Sequence, residues 1–224
     1  MRLKRRGSGV SLYNINEELK KYIKDNFNIQ ELSPPLFYNS SRGIRFELGE
    51  DSLGIEQAQY MKRVYYRSLR LFKEVFSLND SIFLVWIVDA DNKEKMRPTG
   101  VIKKYIKDNA LKYYLGVEEI QREENGFLKM VLKCRVRDVR VEKILEAIAN
   151  QDMNIYPKLK CECYFISIDK KIIYNMYDDR GLDMVASSAD DLIPIYNQYE
   201  EWILSYDKDE IINKLGLDEE IGEI

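Results

Sequence analysis

The amino-acid sequence contains no histidine. This absence excludes Ser-His-Asp and Cys-His catalysis, zinc sites of the HExxH type and histidine-based pH switching near neutrality, because each of these needs an imidazole. Any acid–base chemistry must therefore come from carboxylate, lysine, tyrosine or cysteine side chains. We assign no catalytic residue.

Cysteine is also scarce, with three residues in the chain, an odd number that fits a reducing cytoplasm better than an oxidising compartment. Cys161 and Cys163 are spaced C-x-C, whereas zinc sites commonly begin with C-x2-C and need four ligands. Cys134 is the only further thiol. We therefore expect three small buried apolar side chains, with no metal centre and no cofactor.

Long hydrophobic runs are absent. The longest, Ile82 to Val88, has far fewer than the ~20 apolar residues that span a bilayer. Residues 1–10 carry Arg2, Lys4, Arg5 and Arg6 without the apolar core of a secretory signal. We expect a cytoplasmic protein without a membrane partner. Its first ten residues would be a basic flexible tail, with an arm for nucleic acid or an acidic partner as the alternative.

The remaining composition is that of an ordinary globular domain: 224 residues, 45% hydrophobic and 33% charged. Basic and acidic residues number 35 and 38, which leaves a net charge of −3 and argues against general nucleic-acid affinity. We predict a single α+β domain over residues 11–206, followed by an acidic C-terminal helix or tail at 207–224.

Hydrophobic periodicity predicts four elements in the first part of the chain. Residues 14–26 and 55–77 have helical spacing, and residues 44–48 alternate as a half-buried strand. Residues 82–88 are apolar at every position and predict a central strand covered on both faces.

The middle of the chain, residues 89–126, contains short segments of different character. Asp91-Asn92-Lys93 indicates a turn, residues 101–107 a short helix, and residues 117–126 a charged loop or helix fragment. Residues 127–137 alternate between apolar and basic side chains, which predicts a strand with one buried face. A helix follows at 141–151.

The C-terminal stretch at 159–206 predicts three short strands joined by tight turns, at Asp169-Lys170 and at 178–181, and then an aromatic-rich helix from Leu192 to Tyr206. The fold class that accommodates all these elements is α+β. We expect a largely antiparallel mixed sheet of about five to six strands packed with helices.

Seven short motifs occur in order along the chain. They are PLFY at 35–38, IRFELG at 44–49, LKCRVRD at 132–138, AIANQD at 147–152, YFI at 164–166, YDDRGLD at 177–183 and YEEWIL at 199–204. On these motifs the chain resembles the domain-of-unknown-function family numbered thirty-eight eighty-five. The resemblance implies one domain in a bacterial cytoplasm and transfers no activity. Small bacterial α+β proteins of this general kind often serve as immunity proteins for toxins, which is an analogy of class.

The densest polar cluster is the turn containing Asp178, Asp179 and Arg180, followed by Asp183. A hairpin turn explains Asp178, which can accept hydrogen bonds from backbone amides ahead of it, and Gly181, which permits a positive φ. The alternatives are a partner-binding loop and a carboxylate pair holding Mg²⁺ beside Arg180.

Two sets of charged residues on strands and one on a helix are further candidates. Arg45 and Glu47 share one face of their strand, and Lys133, Arg135 and Arg137 share one face of another strand. If the two strands were neighbours, cross-strand ion pairs would satisfy both sets. A charged groove is the alternative. On the helix, Arg63, Arg67 and Arg70 form a row whose spacing suits phosphate contacts but also a solvated surface. This row and the basic strand residues together form the candidate basic patch: Lys133, Arg135, Arg137, Arg63, Arg67 and Arg70.

Three functions remain open. The first is a non-enzymatic protein-binding module, of the inhibitor or immunity type, that binds another protein through Arg180, Asp179, Asp183 and nearby tyrosines. The second is a Mg²⁺-dependent nucleotide- or phosphoryl-directed enzyme, with Asp178, Asp179 and Glu47 around the ion and Arg180 or Arg45 as a clamp. It requires the carboxylates to converge. The third is a nucleic-acid binder, which requires the basic elements to share one face.

Overall fold

The computed structural model describes residues 14–50, 56–89 and 98–217. Its centre is one antiparallel sheet of seven strands in the order β1-β7-β6-β5-β2-β4-β3. The strands are β1 Gly43–Glu47, β2 Ser81–Asp89, β3 Gly116–Arg122, β4 Asn125–Arg135, β5 Glu162–Ser167, β6 Ile172–Met176 and β7 Gly181–Ala186. The predicted α+β class with a largely antiparallel sheet is confirmed, with slightly more strands than expected.

Helices cover both faces of the sheet. They are α1 Ile15–Phe27, α2 Gln57–Val75, α3 Pro98–Tyr105, α4 Val141–Ala149, α5 Ile193–Tyr199 and α6 Ser205–Leu215. The larger core lies on the face packed by α2, α4, α5 and α6. The smaller core lies on the other face, beneath α1 and the segment that follows it. None of the helices within the described ranges is both long enough and apolar enough to cross a membrane.

Strand β2 is the buried centre that its unbroken apolar run predicts. Phe83 and Val85 belong to the smaller core, whereas Leu84 and Trp86 belong to the larger one. Because successive side chains of a strand point to opposite faces, a strand covered on both sides favours apolar residues at every position.

The C-terminal meander is confirmed as β5, β6 and β7, which pair antiparallel in sequence order. Strand β1, which the alternation at 44–48 predicts, then adds to β7. The N-terminal strand of the described chain therefore completes the sheet beside its last strand, and this pairing positions the candidate site.

The prediction of a charged loop or helix fragment at residues 117–126 is wrong. They form β3 and the turn of a hairpin with β4. The half-buried side of β3 carries Glu118 and Arg122, which form ion pairs with Lys129 and Glu162. A strand whose charges are paired across the sheet does not show the apolar alternation that identifies most strands. The turn predicted at 91–93 lies outside the described residues.

The helix predicted from Leu192 to Tyr206 is also corrected. Helix α5 ends at Tyr199, a single 3-10 turn spans Glu200–Trp202, and α6 begins at Ser205. Ile203 is extended, with φ −108° and ψ 131°, so the chain changes direction there. The change keeps Trp202 against Tyr199, with ring centroids 4.6 Å apart, and leaves Tyr206 85% exposed. Packing of Trp202 overrides the apolar spacing that predicts one helix.

Helix α6 contains most of the described part of the segment predicted as an acidic helix or tail at 207–224. Asp207, Ile211 and Leu215 are buried, and the helix packs beside β1. The basic tail predicted at residues 1–10 lies outside the described residues.

Candidate functional site

The turn between β6 and β7 is stabilised by its own first aspartate. Asp178 accepts a hydrogen bond from the backbone N–H of Arg180 at 2.8 Å and forms an ion pair with the guanidinium of the same residue. Asp178 is 4% exposed, whereas the side chain of Arg180 is 76% exposed. The turn therefore holds an arginine outward from the sheet, next to its own buried counter-ion.

Gly181 has a different role from the one that its turn suggests. Its φ lies outside the left-handed region, so the expected positive φ is wrong. A Cβ at this position would instead lie 2.6 Å from the carbonyl oxygen of Phe46 and would overlap the hydroxyl of Tyr177. Glycine is required here by the close approach of β1 and the Tyr177 ring, not by backbone conformation.

Asp183 forms the most deeply buried ion pair of the site. It lies opposite Arg45 in the β1–β7 register, and its two carboxylate oxygens accept hydrogen bonds from Nε and Nη2 of Arg45 at 2.7 and 2.9 Å. One of these oxygens also accepts from the backbone N–H of Phe37 at 2.9 Å. Burial opposes the charge on Arg45, but the hydrogen bonds and charge of Asp183 raise the pKa of the guanidinium above its ordinary value.

Aromatic rings fix the remaining faces of Arg45. Its Cζ lies 4.5 Å from the ring centroid of Tyr38, 5.3 Å from that of Tyr177 and 5.6 Å from that of Phe37. Within the described chain, no hydrogen bond reaches Nη1 of Arg45. The result is a guanidinium that is held in one orientation and keeps donors available.

Arg45 and Arg180 line a shallow cleft of 480 Å³. Its other lining residues are Pro34, Pro35, Asn175, Tyr177, Asp178 and Asp183. The proline segment is held at both ends, because Arg122 donates to the carbonyl of Leu32 and Asp183 accepts from Phe37. These two contacts hold the prolines beside the polar residues of β1, β6 and β7 that line the cleft.

Asn175 is the unusual residue of the cleft. It is 2% exposed, and its Nδ2 donates to the carbonyl of Cys163 at 3.0 Å. Its Oδ1 has no hydrogen-bond partner among the described residues. Buried polar atoms are normally paired, so this oxygen can accept a hydrogen bond from a water or from a bound group.

Two tyrosines extend the site onto α6. The hydroxyl of Tyr38 donates to Asp207 at 2.7 Å, and this hydrogen bond is the main cause that raises the pKa of Tyr38 to about 12. Tyr206 is close enough for its charge to raise that pKa further. We call the set Tyr38, Arg45, Tyr177, Arg180 and Tyr206 the corner surface.

The carboxylates predicted to hold Mg²⁺ do not converge. Asp179 is turned toward α2, where it accepts a hydrogen bond from the hydroxyl of Tyr60 at 2.7 Å. Glu47 does not line the cleft, and its charge acts on Arg67 of α2. In the part of the chain that the structure describes, no three His, Cys, Asp or Glu side chains are grouped to hold a metal ion.

The arginine row of α2 is largely engaged within the molecule. Arg63 and Arg67 both form ion pairs with Glu50, at 3.1 and 3.0 Å, and Arg70 pairs with Glu74 at 2.8 Å. The side chain of Arg67 is only 10% exposed and lies 5.1 Å from the Trp202 ring. The interpretation of the row as a solvated surface is therefore wrong for Arg67.

The basic residues of β4 lie elsewhere. Strands β1 and β4 are not neighbours, because β7, β6, β5 and β2 separate them, so the expected ion pairs between their charged sets do not form. Lys133 pairs with Glu18 of α1 at 2.7 Å, on the face opposite α2. Arg137 contacts Asn79, and Arg135 is exposed. The candidate basic patch is thus divided between two faces.

Sequence reasoning missed Asn175, Tyr38 and the role of the two prolines. Asn175 did carry a signal, because it is a polar residue inside the otherwise apolar strand IIYNM. Pro35 and Tyr38 belong to the PLFY motif, but nothing in the motif placed them at the site, since their position there depends on the long-range contact between Phe37 and Asp183.

The chain matches the family described as "Domain of unknown function (DUF3885)" over residues 19–207. It belongs to this family. The "Uncharacterized protein YnaE" of Bacillus subtilis (strain 168) is 30% identical to it over 205 residues, which cover 83% of this chain and 96% of the relative. No solved structure matches. All five residues of the corner surface lie inside the region matched to DUF3885.

Proposed function

We propose that the chain is a non-enzymatic protein-binding module whose partner docks on the corner surface. The observation that carries this proposal is Arg45, which Asp183 and three aromatic rings hold in one orientation while Nη1 stays without a partner in the described chain. A pre-oriented side chain loses little conformational entropy on binding, so more of its contact energy contributes to affinity.

The composition of the corner surface supports a protein as the ligand. Arg and Tyr are over-represented among the residues that contribute most to protein interfaces. Tyr206 and Arg180 are exposed, at 85% and 76%, and Tyr38 is 40% exposed. Tyrosine rings provide large contact areas at low entropic cost, and their hydroxyls can still hydrogen bond.

Charge defines which group of the partner would reach Arg45. Its Nη1 and the exposed guanidinium of Arg180 are both donors at the same cleft. A carboxylate from Asp or Glu of the partner accepts from such donors in a charge-assisted hydrogen bond. The partner would therefore present an acidic side chain flanked by apolar surface.

An inhibitor or immunity factor that acts on another protein of the same cell is the form of this function that we favour. Such a protein needs a rigid patch and no chemistry of its own. The engagement of Asp178, Asp179 and Asp183 by Arg180, Tyr60 and Arg45 supports this choice over a catalytic one.

The test is affinity capture of the intact chain expressed at its native level. We expect one stoichiometric partner, and we expect Arg180→Ala and Tyr206→Ala to reduce its recovery. Tyr206→Ala should leave stability unchanged, because the side chain is exposed. Arg180→Ala removes the counter-ion of the buried Asp178, so urea unfolding of this variant must show that it is still folded. Tyr156→Ala is the matched control, because Tyr156 is 80% exposed and does not line the cleft. Recovery of no partner, or equal recovery with all three variants, would contradict the proposal.

A further inference from the structure

A second surface, separate from the corner surface, is an apolar groove between α2 and α4. Its volume is 710 Å³. Phe72 and Phe76 stack along one side, with ring centroids 4.4 Å apart, and Val136 and Val139 lie opposite. Leu78 projects at the rim and is 68% exposed. Exposed apolar surface next to a buried apolar floor is typical of a binding groove.

Four cations line the same groove, namely Lys73, Lys107, Arg140 and Lys143. None of them forms an ion pair with any residue of the described ranges. Glu142 is the only acidic side chain among the described lining residues. The groove is therefore locally basic in a chain whose net charge is −3.

Two of these cations donate hydrogen bonds to backbone carbonyls, and the other two are exposed and can bind a partner. Lys107 donates to the carbonyl of Arg137 at 2.6 Å, and Arg140 donates to the carbonyl of Ile106. Lys73 and Lys143 are exposed and make no hydrogen bond within the described chain. Carbonyl contacts orient a cation without neutralising it, so all four retain their full charge.

The start of α4 adds to the positive potential of the groove. Arg140 is its N-cap residue and makes no side-chain capping hydrogen bond, so the N–H groups of the first turn are not satisfied by that side chain. The helix dipole places partial positive charge at this end.

We infer that this groove binds an acidic amphipathic helix of a partner protein. Apolar side chains at i, i+3, i+4 and i+7 would contact the Phe72–Phe76 side, as in other helix-in-groove interactions. Asp and Glu on the flanks of that helix would pair with Lys73 and Lys143. Charge complementarity with the four unpaired cations selects an acidic partner rather than a basic or neutral one.

The probe is a fluorescein-labelled synthetic peptide of four helical turns, with Leu at i, i+3, i+4 and i+7 and Glu or Ala elsewhere. Fluorescence anisotropy with the intact chain should show saturable binding that weakens as salt increases. A peptide with Lys in place of every Glu should not bind. Saturable binding of the Lys peptide, or no binding of the Glu peptide, would overturn the inference.

Charge reversal locates the binding. The double substitution Lys73→Glu with Lys143→Glu should lower the affinity for the Glu peptide by roughly tenfold or more, since two favourable contacts become repulsive. The control, Lys20→Glu with Lys24→Glu, makes the same change in net charge on α1, on the opposite face. Equal weakening in both would mean non-specific attraction and would overturn the inference.

Three further measurements separate a partner helix in the groove from a different site or a different ligand. Arg180→Ala should leave peptide binding unchanged, so failure here and failure at the corner surface are distinguishable. Removal of residues 218–224, which carry Asp218, Glu219, Glu220 and Glu223, should also leave peptide binding unchanged. If the peptide binds much more tightly after that removal, the groove is occupied by the chain's own acidic segment. Groove-dependent binding to phosphatidylglycerol vesicles in place of the peptide would assign it to a lipid. Either result would overturn the inference.

Discussion

At the residue scale, Asp183 links three parts of the chain through one carboxylate. It orients Arg45 on the neighbouring strand, accepts from the amide of Phe37 in the preceding loop, and lies on β7 itself. Its side chain is 1% exposed, whereas that of Arg45 is 16% exposed. Since a buried charge is costly without a partner, each member of the pair depends on the other.

Asp183→Asn should lower the free energy of unfolding by about 3 kcal/mol, near the lower end of the range for breaking a buried pair, because Arg45 keeps some contact with water. Urea unfolding measures the difference. Asp190→Asn, at an exposed aspartate that pairs with no cation in the described chain, is the control and should cost less than about 0.5 kcal/mol. Equal effects of the two substitutions would show that Asp183 does not hold this part of the fold together.

Tyr22 on α1 and Tyr38 in the loop before β1 are among the tyrosines that make stability depend on alkaline pH. Burial raises the pKa of Tyr22 to about 12, and the hydrogen bond to Asp207 raises that of Tyr38 to about 12. The ordinary value is about 10. Because the folded-state pKa exceeds the unfolded one, the stabilisation from both groups is complete below pH 10 and is lost as the pH rises to about 12.

The urea midpoint should therefore fall between pH 10 and pH 12. Asp207→Asn should return the Tyr38 titration, followed by tyrosinate absorbance, toward its ordinary value, and Tyr38→Phe should remove it. A midpoint that is constant or rises across this interval would contradict the assignment.

At the element scale, β1 and β7 approach each other so closely that Gly181 has no room for a side chain. Gly181→Ala should lower the free energy of unfolding by about 1–3 kcal/mol, because the added methyl group meets the backbone oxygen of Phe46. The matched control is Gly100→Ala in α3, where nothing lies within 4 Å of the added Cβ. That substitution should stabilise the helix by up to about 1 kcal/mol. The same sign for both would contradict the close approach.

The success of sequence prediction differs between elements for physical reasons. The run IFLVWIV favours a strand buried on both sides, because it is apolar at every position, rich in β-branched residues and shorter than a typical buried helix. Strand β3 could not be predicted, because its Glu118 and Arg122 are satisfied by partners on β4 and β5. Local patterns do not contain those partners.

The candidate site was also predictable only in part. Arg45, Asp178, Arg180 and Asp183 are candidates from sequence alone, and the structure brings all four to one cleft. Their pairing could not be predicted, since it depends on β1 adding to β7 across more than a hundred residues of chain. Asp179 and Glu47 share the same sequence neighbourhoods but lie outside the cleft.

At the scale of the whole molecule, the two candidate binding surfaces lie at different places around one sheet. The corner surface is at the β1 edge, and the groove is between α2 and α4 on the face of the larger core. The corner surface has its charges largely paired and its rings exposed, whereas the groove has an apolar floor and unpaired cations. Two surfaces of different chemistry allow a module to distinguish two kinds of partner.

A partner protein that covers the corner surface should protect the backbone amides beneath it. Hydrogen exchange, measured by mass spectrometry on the chain alone and on the chain with its co-purified partner, detects this protection. We predict slower exchange in the complex at residues 33–45, 177–183 and 204–208, with exchange in α3 unchanged. Slower exchange confined to other segments, with these three unaffected, would show that the partner does not bind at the corner surface.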